Sequence, residues 1–314
     1  MKKRRKMSPG KKILIGIISL VLILCVGGYA YVHTTLNKVN NIELDNTDLE
    51  ISPTLESEVD TTDITNIAIF GIDSSDGEIG RSDSIMVLTI DKQHDKLKVS
   101  SIIRDSYVEI LGRDGKDKIN HAYAFGTASG NANGGPTLAI KTLNKNFNLN
   151  IKDFVSVNFS SLPKLIDSVG GIQVNITSEE KNILNLASAG NQTLDGDEAL
   201  AYSRIRHAVG GDFVRSERQR TVITALFNKF KSASVTSYPS LLDDLLPLVD
   251  TNLVPTDLLS LAIKANSLPI SELSQDRFPR DGYGEGKLIN GIYYYVFDIE
   301  ETAKQMTDYI FLDK

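Results

Sequence analysis

The sequence predicts one α/β domain of the αβα type with a central mixed sheet, preceded by one N-terminal transmembrane helix. Two observations predict it. One is an uncharged run near the N-terminus, and the other is a series of strand-like apolar runs that alternate with helical patterns over about 250 residues. A chain of 314 residues with 41% hydrophobic and 24% charged residues can bury such a core, so wholly disordered and collagen-like proteins are excluded.

The first element is the uncharged run Ile13–Val32. At about 1.5 Å per residue its length matches a hydrocarbon core of about 30 Å. The basic tail at residues 1–12 is expected to stay cytoplasmic, which predicts a single-pass protein of the cell membrane with its main domain outside the cell. A cleaved signal peptide is the alternative, because small residues surround Tyr29. An uncleaved anchor is favoured because the aromatic rings of Tyr29 and Tyr31 suit the membrane interface at the end of a full-length span.

Charge is distributed unevenly along the chain. The net charge is −6, but residues 1–12 contribute +7, so the other 302 residues carry 27 basic against 40 acidic side chains, a net of −13. So acidic a body is repelled by phosphate backbones, which argues against nucleic acid as a partner. Cys25 is the single cysteine, so no internal disulfide forms, and with four histidines no cysteine-rich zinc module is expected.

The part after the span divides into a polar, acidic stem and linker at residues 33–62 and one domain at residues 63–314. The domain is expected to begin with three central strands, of which the second and third form a hairpin. The expected elements are strands at 66–73, 84–91 and 97–103, a helix at 135–146, a strand at 154–159, a helix at 160–168, a strand at 172–176, a helix opened by a capping box at Asp195 and Glu198, helices at 213–231, 241–249 and 256–265, a strand pair around 293–297, and a C-terminal helix.

Acidic side chains gather in the loop between the first two strands. Asp73 and Asp83 lie where one strand ends and the next begins, and neighbouring strands are about 4.8 Å apart, so both carboxylates can converge on one cation. Two oxygen ligands completed by water are how Mg²⁺ usually sits beside a phosphate. A solvated acidic turn is the alternative, and an EF-hand is excluded because strands flank the loop.

Arginines concentrate in the segment that begins at Arg204, which holds five of them in seventeen residues. Arg215 and Gln219 are four residues apart near the start of a long helix, where backbone N–H groups favour an anion. Arg204 and Arg206 would point about 200° apart in a helix, so we expect the preceding helix to end near Ser203 and the chain to become extended. A charged helix face paired with glutamates is the alternative.

Arg104 is a further candidate site residue, distant in sequence from both the acidic loop and the arginine segment. It follows the strand at 97–103, and it meets Asp83 if the strands that carry the two residues are neighbours. Carboxylates for a cation together with converging arginines are typical of pyrophosphate or phosphoryl-transfer sites. The sequence holds no P-loop motif and no GxSxG motif, which argues against a nucleoside-triphosphate site and a serine hydrolase.

Five successive motifs resemble those of the LytR-CpsA-Psr family. They lie between about residues 64 and 235 and read NIAIFGIDSSDGEIGRSDSIMVLTI, SSIIRDSYVEILGRDGKDKINHAYAFG, GGPTLAIKTL, DGDEALAYSRIRH and GDFVRSERQR. The resemblance implies a cytoplasmic tail, one membrane anchor and an extracytoplasmic catalytic domain. It also implies a phosphotransferase that moves a glycopolymer, such as wall teichoic acid or capsule, from a polyprenyl-pyrophosphate carrier to peptidoglycan, with Mg²⁺ at the pyrophosphate.

The same resemblance implies roles for single residues. Asp212 matches an acid ahead of the long helix and is the candidate general base, with a helix N-cap as its alternative. The matched residues are Asp73 and Asp83 for the metal, Arg104, Arg81 and Asp212 for catalysis, and Arg204, Arg206, Arg215 and Gln219 for the pyrophosphate.

Two other functions remain open at this point. A membrane-bound transcriptional regulator is one, and the expected topology and the net charge of −13 oppose it. A non-catalytic module that binds a polyprenyl phosphate or a glycan through the same arginines is the other. Hydrolysis is also hard to separate from transfer, because water can replace the acceptor hydroxyl.

Overall fold

The central sheet is mixed, as the sequence predicts. A computed structural model describes residues 40–44, 48–74, 79–131, 133–205, 211–232, 243–269 and 273–314. Neighbouring strands β2, β3 and β4 are antiparallel, whereas β2 with β7 and β4 with β11 are parallel. From edge to edge the strands of this sheet are β1 (Asn40–Asn41), β10 (Asp250–Thr251), β7 (Asp153–Asn158), β2 (Ile64–Asp73), β3 (Arg81–Asp91), β4 (Lys96–Ile102) and β11 (Ser274–Phe278).

Helices cover both faces of this sheet, which confirms the αβα arrangement. On one face Phe70 and Ile85 pack against α3 and α9, and on the other Met86 and Val99 pack against α8 and Ile223 of α7. The described helices are α1 (Leu55–Glu58), α2 (His121–Ala128), α3 (Gly134–Phe147), α4 (Leu162–Ser168), α5 (Ser178–Leu184), α6 (Gly196–Arg204), α7 (Gly211–Ser232), α8 (Pro255–Ser267) and α9 (Ile299–Ile310).

Small hairpins complete the fold. The hairpin at residues 172–194 packs with α4, α6 and α7 around a second core that contains Ile172, Tyr202 and Val222. Another turns at Asn290 and Gly291, both with positive φ, as short hairpin turns require. The hairpins are β5 (Tyr107–Glu109) with β6 (Lys116–Lys118), β8 (Ile172–Ile176) with β9 (Gly190–Leu194), and β12 (Gly284–Ile289) with β13 (Ile292–Phe297).

Two local predictions near the arginine segment are confirmed. Asp195 caps α6 by accepting the Glu198 N–H at 2.9 Å, and the Glu198 carboxylate accepts the Asp195 N–H at 3.1 Å. The helix ends at Arg204, and Ile205 leaves it with φ −57° and ψ 120°. The chain is therefore extended at Ile205, the last residue of this described segment.

The domain begins earlier than the predicted boundary at residue 63. Leu49, Leu55 and Val59 are buried in the core on the α3 face, and the Asn144 side-chain amide donates to the Leu49 carbonyl at 2.8 Å. These apolar residues stand singly among polar ones, so their pattern did not show that the segment packs on α3. This corrects the predicted linker at 33–62, because its described residues, 40–44 and 48–62, belong to the domain.

The predicted membrane span lies outside the residues that the structure describes. Within those residues, no helix combines the length and the hydropathy that a membrane crossing requires. The span Ile13–Val32 therefore stays a prediction of the sequence.

Candidate functional site

Asp83 lies at an irregularity of the sheet beside the end of β2. Ile72 pairs with Ser82 and Gly71 with Ser84, so Asp83 is an extra residue of β3, a β-bulge. A Cβ on Gly71 would lie 2.9 Å from the Ser84 Cβ, so a side chain there would strain this pairing. Bulges redirect side chains and are common beside active sites. The bulge gives Asp83, which is only 7% exposed, a direction that regular pairing would not give it.

Arg104 meets Asp83 as the adjacency of β3 and β4 predicts. Its Nη1 donates to the Asp83 Oδ2 in a short ion pair, and its Nε lies 3.4 Å from the Asp105 Oδ2. The Arg104 side chain is 20% exposed, so one side of the guanidinium remains accessible from solvent. Such a partly dehydrated arginine can present N–H donors to a phosphate oxygen.

Asn120 holds these two residues together. Its side-chain amide donates to the Asp83 Oδ1 at 2.9 Å, its backbone N–H donates to the Arg104 carbonyl at 3.2 Å, and its carbonyl accepts the Ser82 N–H at 3.3 Å. Asn120 stands directly before α2, where an asparagine predicts a helix cap, but its side chain makes no capping bond. The side chain holds the site instead.

Asp73 and Arg204 form a looser pair at the end of β2. The Arg204 Nη2 lies 3.6 Å from the Asp73 Oδ1, and the two side chains are 50% and 42% exposed. Such an exposed pair contributes little, about 0–1 kcal/mol, so an anion can displace the carboxylate. The Phe159 ring orients the arginine, because the Arg204 Cζ lies 4.6 Å from the ring centroid.

A buried ion pair fixes the end of α6 against α7. The Arg218 Nε donates to the Glu180 Oε1 at 2.7 Å, and its Nη1 donates to the Ile205 carbonyl at 3.4 Å. Burial would raise the pKa of Glu180, but hydrogen bonds from Thr177 and Arg218 outweigh it and lower that pKa. The pair therefore stays ionised near neutral pH and holds the residue that follows Arg204.

The other candidate residues are placed less completely. Arg81 opens β3, is exposed, and pairs in register with Asp73. Gln219 is half-buried in α7, whereas Asp212 and Arg215 lie in its first turns and their side chains are outside the described part. The helix begins at Gly211, so Asp212 lies inside it rather than at the N-cap. Arg206 lies outside the described residues.

The two predicted metal ligands belong to separate pairs in this structure, since Asp83 bonds to Arg104 and Asn120 whereas Asp73 lies near Arg204. Within the described ranges, no three His, Cys, Asp or Glu side chains form a group that could hold a metal ion. One observation fits a cation: the buried Oδ1 of Asn120 has no hydrogen-bond partner in the described part. A carboxylate with an amide oxygen suits Mg²⁺ if water and phosphate supply further ligands.

The sequence interpretation missed three residues that shape this site, namely Asn120, Phe159 and Arg218. Asn120 could have been found from the sequence, because it lies in the family-like motif SSIIRDSYVEILGRDGKDKINHAYAFG, directly before a helix. Arg218 is one of the five arginines in the segment that begins at Arg204. Nothing in its spacing distinguishes a buried arginine from one that contacts a ligand. Phe159 is the last residue of the strand-like run at 154–159, and this position predicts a core side chain rather than a site residue.

Comparisons with known proteins match nearly the whole chain. The family model described as the LytR_cpsA_psr family matches residues 26–310. A curated relative from Bacillus cereus, named polyisoprenyl-teichoic acid–peptidoglycan teichoic acid transferase TagU, is 35% identical over 304 residues, which cover 94% of this chain and 95% of the relative.

Solved structures share the fold. A structure described as TagT bound to LI-WTA superposes with a TM-score of 0.68 at 26% identity and covers 86% of this chain and 99% of its own. A structure described as a transcriptional regulator from Enterococcus faecalis superposes with a TM-score of 0.64 at 30% identity and covers 82% of this chain and 90% of its own.

Proposed function

The chain belongs to the LytR-CpsA-Psr family, and we propose that it is a phosphotransferase that moves an anionic glycopolymer from a polyprenyl-pyrophosphate carrier to peptidoglycan. It is a transferase by its relationship to curated sequences of that activity. The donor, the acceptor and the metal dependence are the proposed parts. Wall teichoic acid is the glycopolymer class that the name of the relative supports.

One observation carries this proposal: Arg104, Asp83 and Asn120 form a connected site beside the end of β2, where Asp73 pairs with Arg204 of α6. These residues come from separate parts of the sequence, yet the sheet brings them to one end. Enzymes of phosphoryl transfer mainly position reactants and stabilise charge, which needs this combination of fixed cations and acids.

In the proposed reaction, an acceptor hydroxyl oxygen forms a bond to the phosphorus nearest the glycopolymer. The bond from that phosphorus to the bridging oxygen breaks, and polyprenyl phosphate leaves with the electron pair. Arg104 and Arg204 donate hydrogen bonds to phosphate oxygens, and Arg204 stabilises the charge on the leaving group. The hydroxyl proton passes to a base or to water, and Asp212 is the candidate base. A loose transition state asks little of that base.

We propose Mg²⁺ as the cofactor, with Asp83, Asp73 and the Asn120 Oδ1 as the side-chain oxygens able to hold it. When bound, the ion would neutralise charge on the pyrophosphate. Arg104 and Asn120 hydrogen-bond to the Asp83 carboxylate and fix its direction for the donor.

We also propose that a single membrane anchor keeps the domain outside the cell, next to its lipid-linked donor. The anchor is the run Ile13–Val32 and rests on sequence alone. The regulator name of the Enterococcus structure corresponds to the alternative function, and the net charge of −13 beyond residue 12 opposes DNA binding. A cytoplasmic C-terminus in a reporter fusion would favour that alternative.

The test uses the full chain in detergent, a polyprenyl-pyrophosphate donor with a labelled sugar, and peptidoglycan that lacks teichoic acid. We expect labelled peptidoglycan and polyprenyl phosphate in equal amounts when Mg²⁺ is present. Donor binding without either product would support the non-catalytic binding module and overturn the proposal. Polyprenyl phosphate without labelled peptidoglycan would make the protein a hydrolase and contradict the proposed transfer. Full transfer in the presence of a metal chelator would show that the reaction does not need Mg²⁺ and would contradict that part of the proposal.

A further inference from the structure

An aromatic surface adjoins the Arg104 side of the candidate site. It lies on hairpin β12–β13, where the Tyr293 ring is 42% exposed and its cross-strand partner Leu288 is 73% exposed. A Cβ on Gly286 would lie 2.6 Å from the Tyr293 ring, so the glycine leaves room for the ring against β12. We call the surface formed by Leu288 and Tyr293, with Lys118 at its inner edge, the Tyr293 shelf.

The shelf is tied directly to the residue next to Arg104. The Tyr295 N–H of β13 donates to the Asp105 carbonyl at 2.8 Å. The Lys118 Nζ lies 2.6 Å from the Asp105 Oδ1 and 6.0 Å from the Tyr293 ring centroid. Contacts therefore run without interruption from Tyr293 through Lys118 and Asp105 to Arg104.

Tyr294, the residue after Tyr293 in β13, fixes the hairpin to the rest of the domain. The Asp117 carboxylate lies 2.9 Å from the His121 Nδ1 and accepts the Tyr294 hydroxyl at 3.5 Å, and the Asp117 and His121 side chains are 29% and 23% exposed. The Tyr294 ring packs on Tyr107 at 4.6 Å, which braces the hairpin. The Tyr293 ring lies beside the Lys118 ammonium, which Asp105 holds in place, and this suits a sugar, whose ring faces are apolar and whose edges carry hydroxyls.

The shelf and Arg204 lie on opposite sides of the sheet end. Phe297 of β13 stacks on Phe147 of α3 with ring centroids 6.4 Å apart, so the hairpin belongs to the α3 side. Arg204 ends α6, which packs on α7, and Ile223 of α7 packs on the other face of the sheet. In phosphoryl transfer the attacking and leaving oxygens lie roughly in line, so an acceptor must approach from the side opposite the leaving group.

From these observations we infer that the Tyr293 shelf binds the acceptor, an amino-sugar glycan chain of the peptidoglycan type, and directs its hydroxyl toward Arg104 and Asp83. The inference rests on the proposed function, because only a transferase needs a second substrate beside the donor. The Tyr293 ring supplies the packing surface, and Lys118 bonds an edge of the sugar.

The test compares acceptor and donor kinetics in the full chain. Tyr293→Leu, which keeps an apolar residue but removes the flat ring, is expected to raise the acceptor KM about tenfold with a smaller change in kcat, since lost aromatic packing of about this size is common. The donor KM is expected to stay at its wild-type value. Tyr293→Phe is expected to behave as wild type, and Tyr283→Ala, which removes another exposed tyrosine, is the matched control.

A second measurement separates this inference from the proposed function. Binding of soluble peptidoglycan glycan chains is measured by calorimetry without donor, in wild type, Tyr293→Leu and Gly286→Ala, which displaces the ring. Weaker glycan binding in both variants supports the shelf even if no transfer occurs. Unchanged glycan affinity and acceptor KM would overturn it. A parallel rise in donor KM, or lost binding to lipid vesicles with the acceptor KM unchanged, would assign the surface to the donor or the membrane and also overturn it.

Discussion

Removing Arg218 is expected to destabilise the domain more than any exposed charge does. The Arg218 and Glu180 side chains are 5% and 7% exposed, and Arg218 also bonds the Ile205 carbonyl. Arg218→Met keeps most of the apolar volume but leaves a buried carboxylate without its cation. Such a loss costs about 3–5 kcal/mol. The donor affinity is expected to fall as well, because the end of α6 that carries Arg204 loses its attachment to α7.

The assay is urea unfolding of the single variants and the double variant at neutral pH. Glu180→Gln combined with Arg218→Met is expected to recover much of the lost free energy of unfolding, because no uncompensated charge remains and glutamine still completes a capping box. Lys145→Met is the matched control. Its pair with Glu109 is exposed, and we expect a change within about 0.5 kcal/mol.

The result that would refute this reasoning is a loss below about 1 kcal/mol for Arg218→Met. A double variant less stable than Arg218→Met alone would also refute it, because the cost would then come from packing rather than from an unpaired charge.

Three further predictions concern acid, a helix cap and the metal. The pKa of Glu180 is lowered in the folded state, so its stabilisation is present above the unfolded pKa of about 4.3 and is lost as the pH falls through the lower folded value. Glu180→Gln is expected to show a smaller loss of stability in acid. Asp195→Ala removes the cap of α6 and is expected to cost about 1 kcal/mol in urea unfolding, and no change would contradict the capping role. Asn120→Ala is expected to raise the Mg²⁺ concentration needed for half-maximal transfer, whereas an unchanged Mg²⁺ dependence would remove Asn120 from the metal site.

The sequence predicted the strands that carry the site because their apolar patterns are strong. Adjacent strands at 84–91 and 97–103 placed Arg104 near Asp83, and the structure has that contact. The end of the helix at Arg204 followed from geometry, since two arginines that must converge cannot be two residues apart in a helix. These predictions depend on local periodicity and on the short hairpin connection between the two strands, both of which can be read from a sequence.

Other features of the site depend on pairing and burial, which a sequence does not record. The bulge at Asp83 exists only because β2 and β3 pair in one register. Nothing in the local sequence distinguishes Arg218 from the neighbouring arginines. It is buried because the fold places Glu180 beside it. The expected convergence of Asp73 and Asp83 on one cation stays a prediction, since here each carboxylate lies beside a different arginine.

The central claim is that Arg104, fixed by Asp83 and Asn120, binds the donor pyrophosphate. The most direct test is the affinity of the full chain for a polyprenyl pyrophosphate, measured for wild type, Arg104→Ala and the control Arg113→Ala, an exposed arginine that lies on the Phe125 ring. We predict a loss of at least about 30-fold for Arg104→Ala, because truncating one partner of a buried charge pair costs about 2 kcal/mol or more, and no loss for Arg113→Ala. Equal affinity of Arg104→Ala and wild type would contradict the claim.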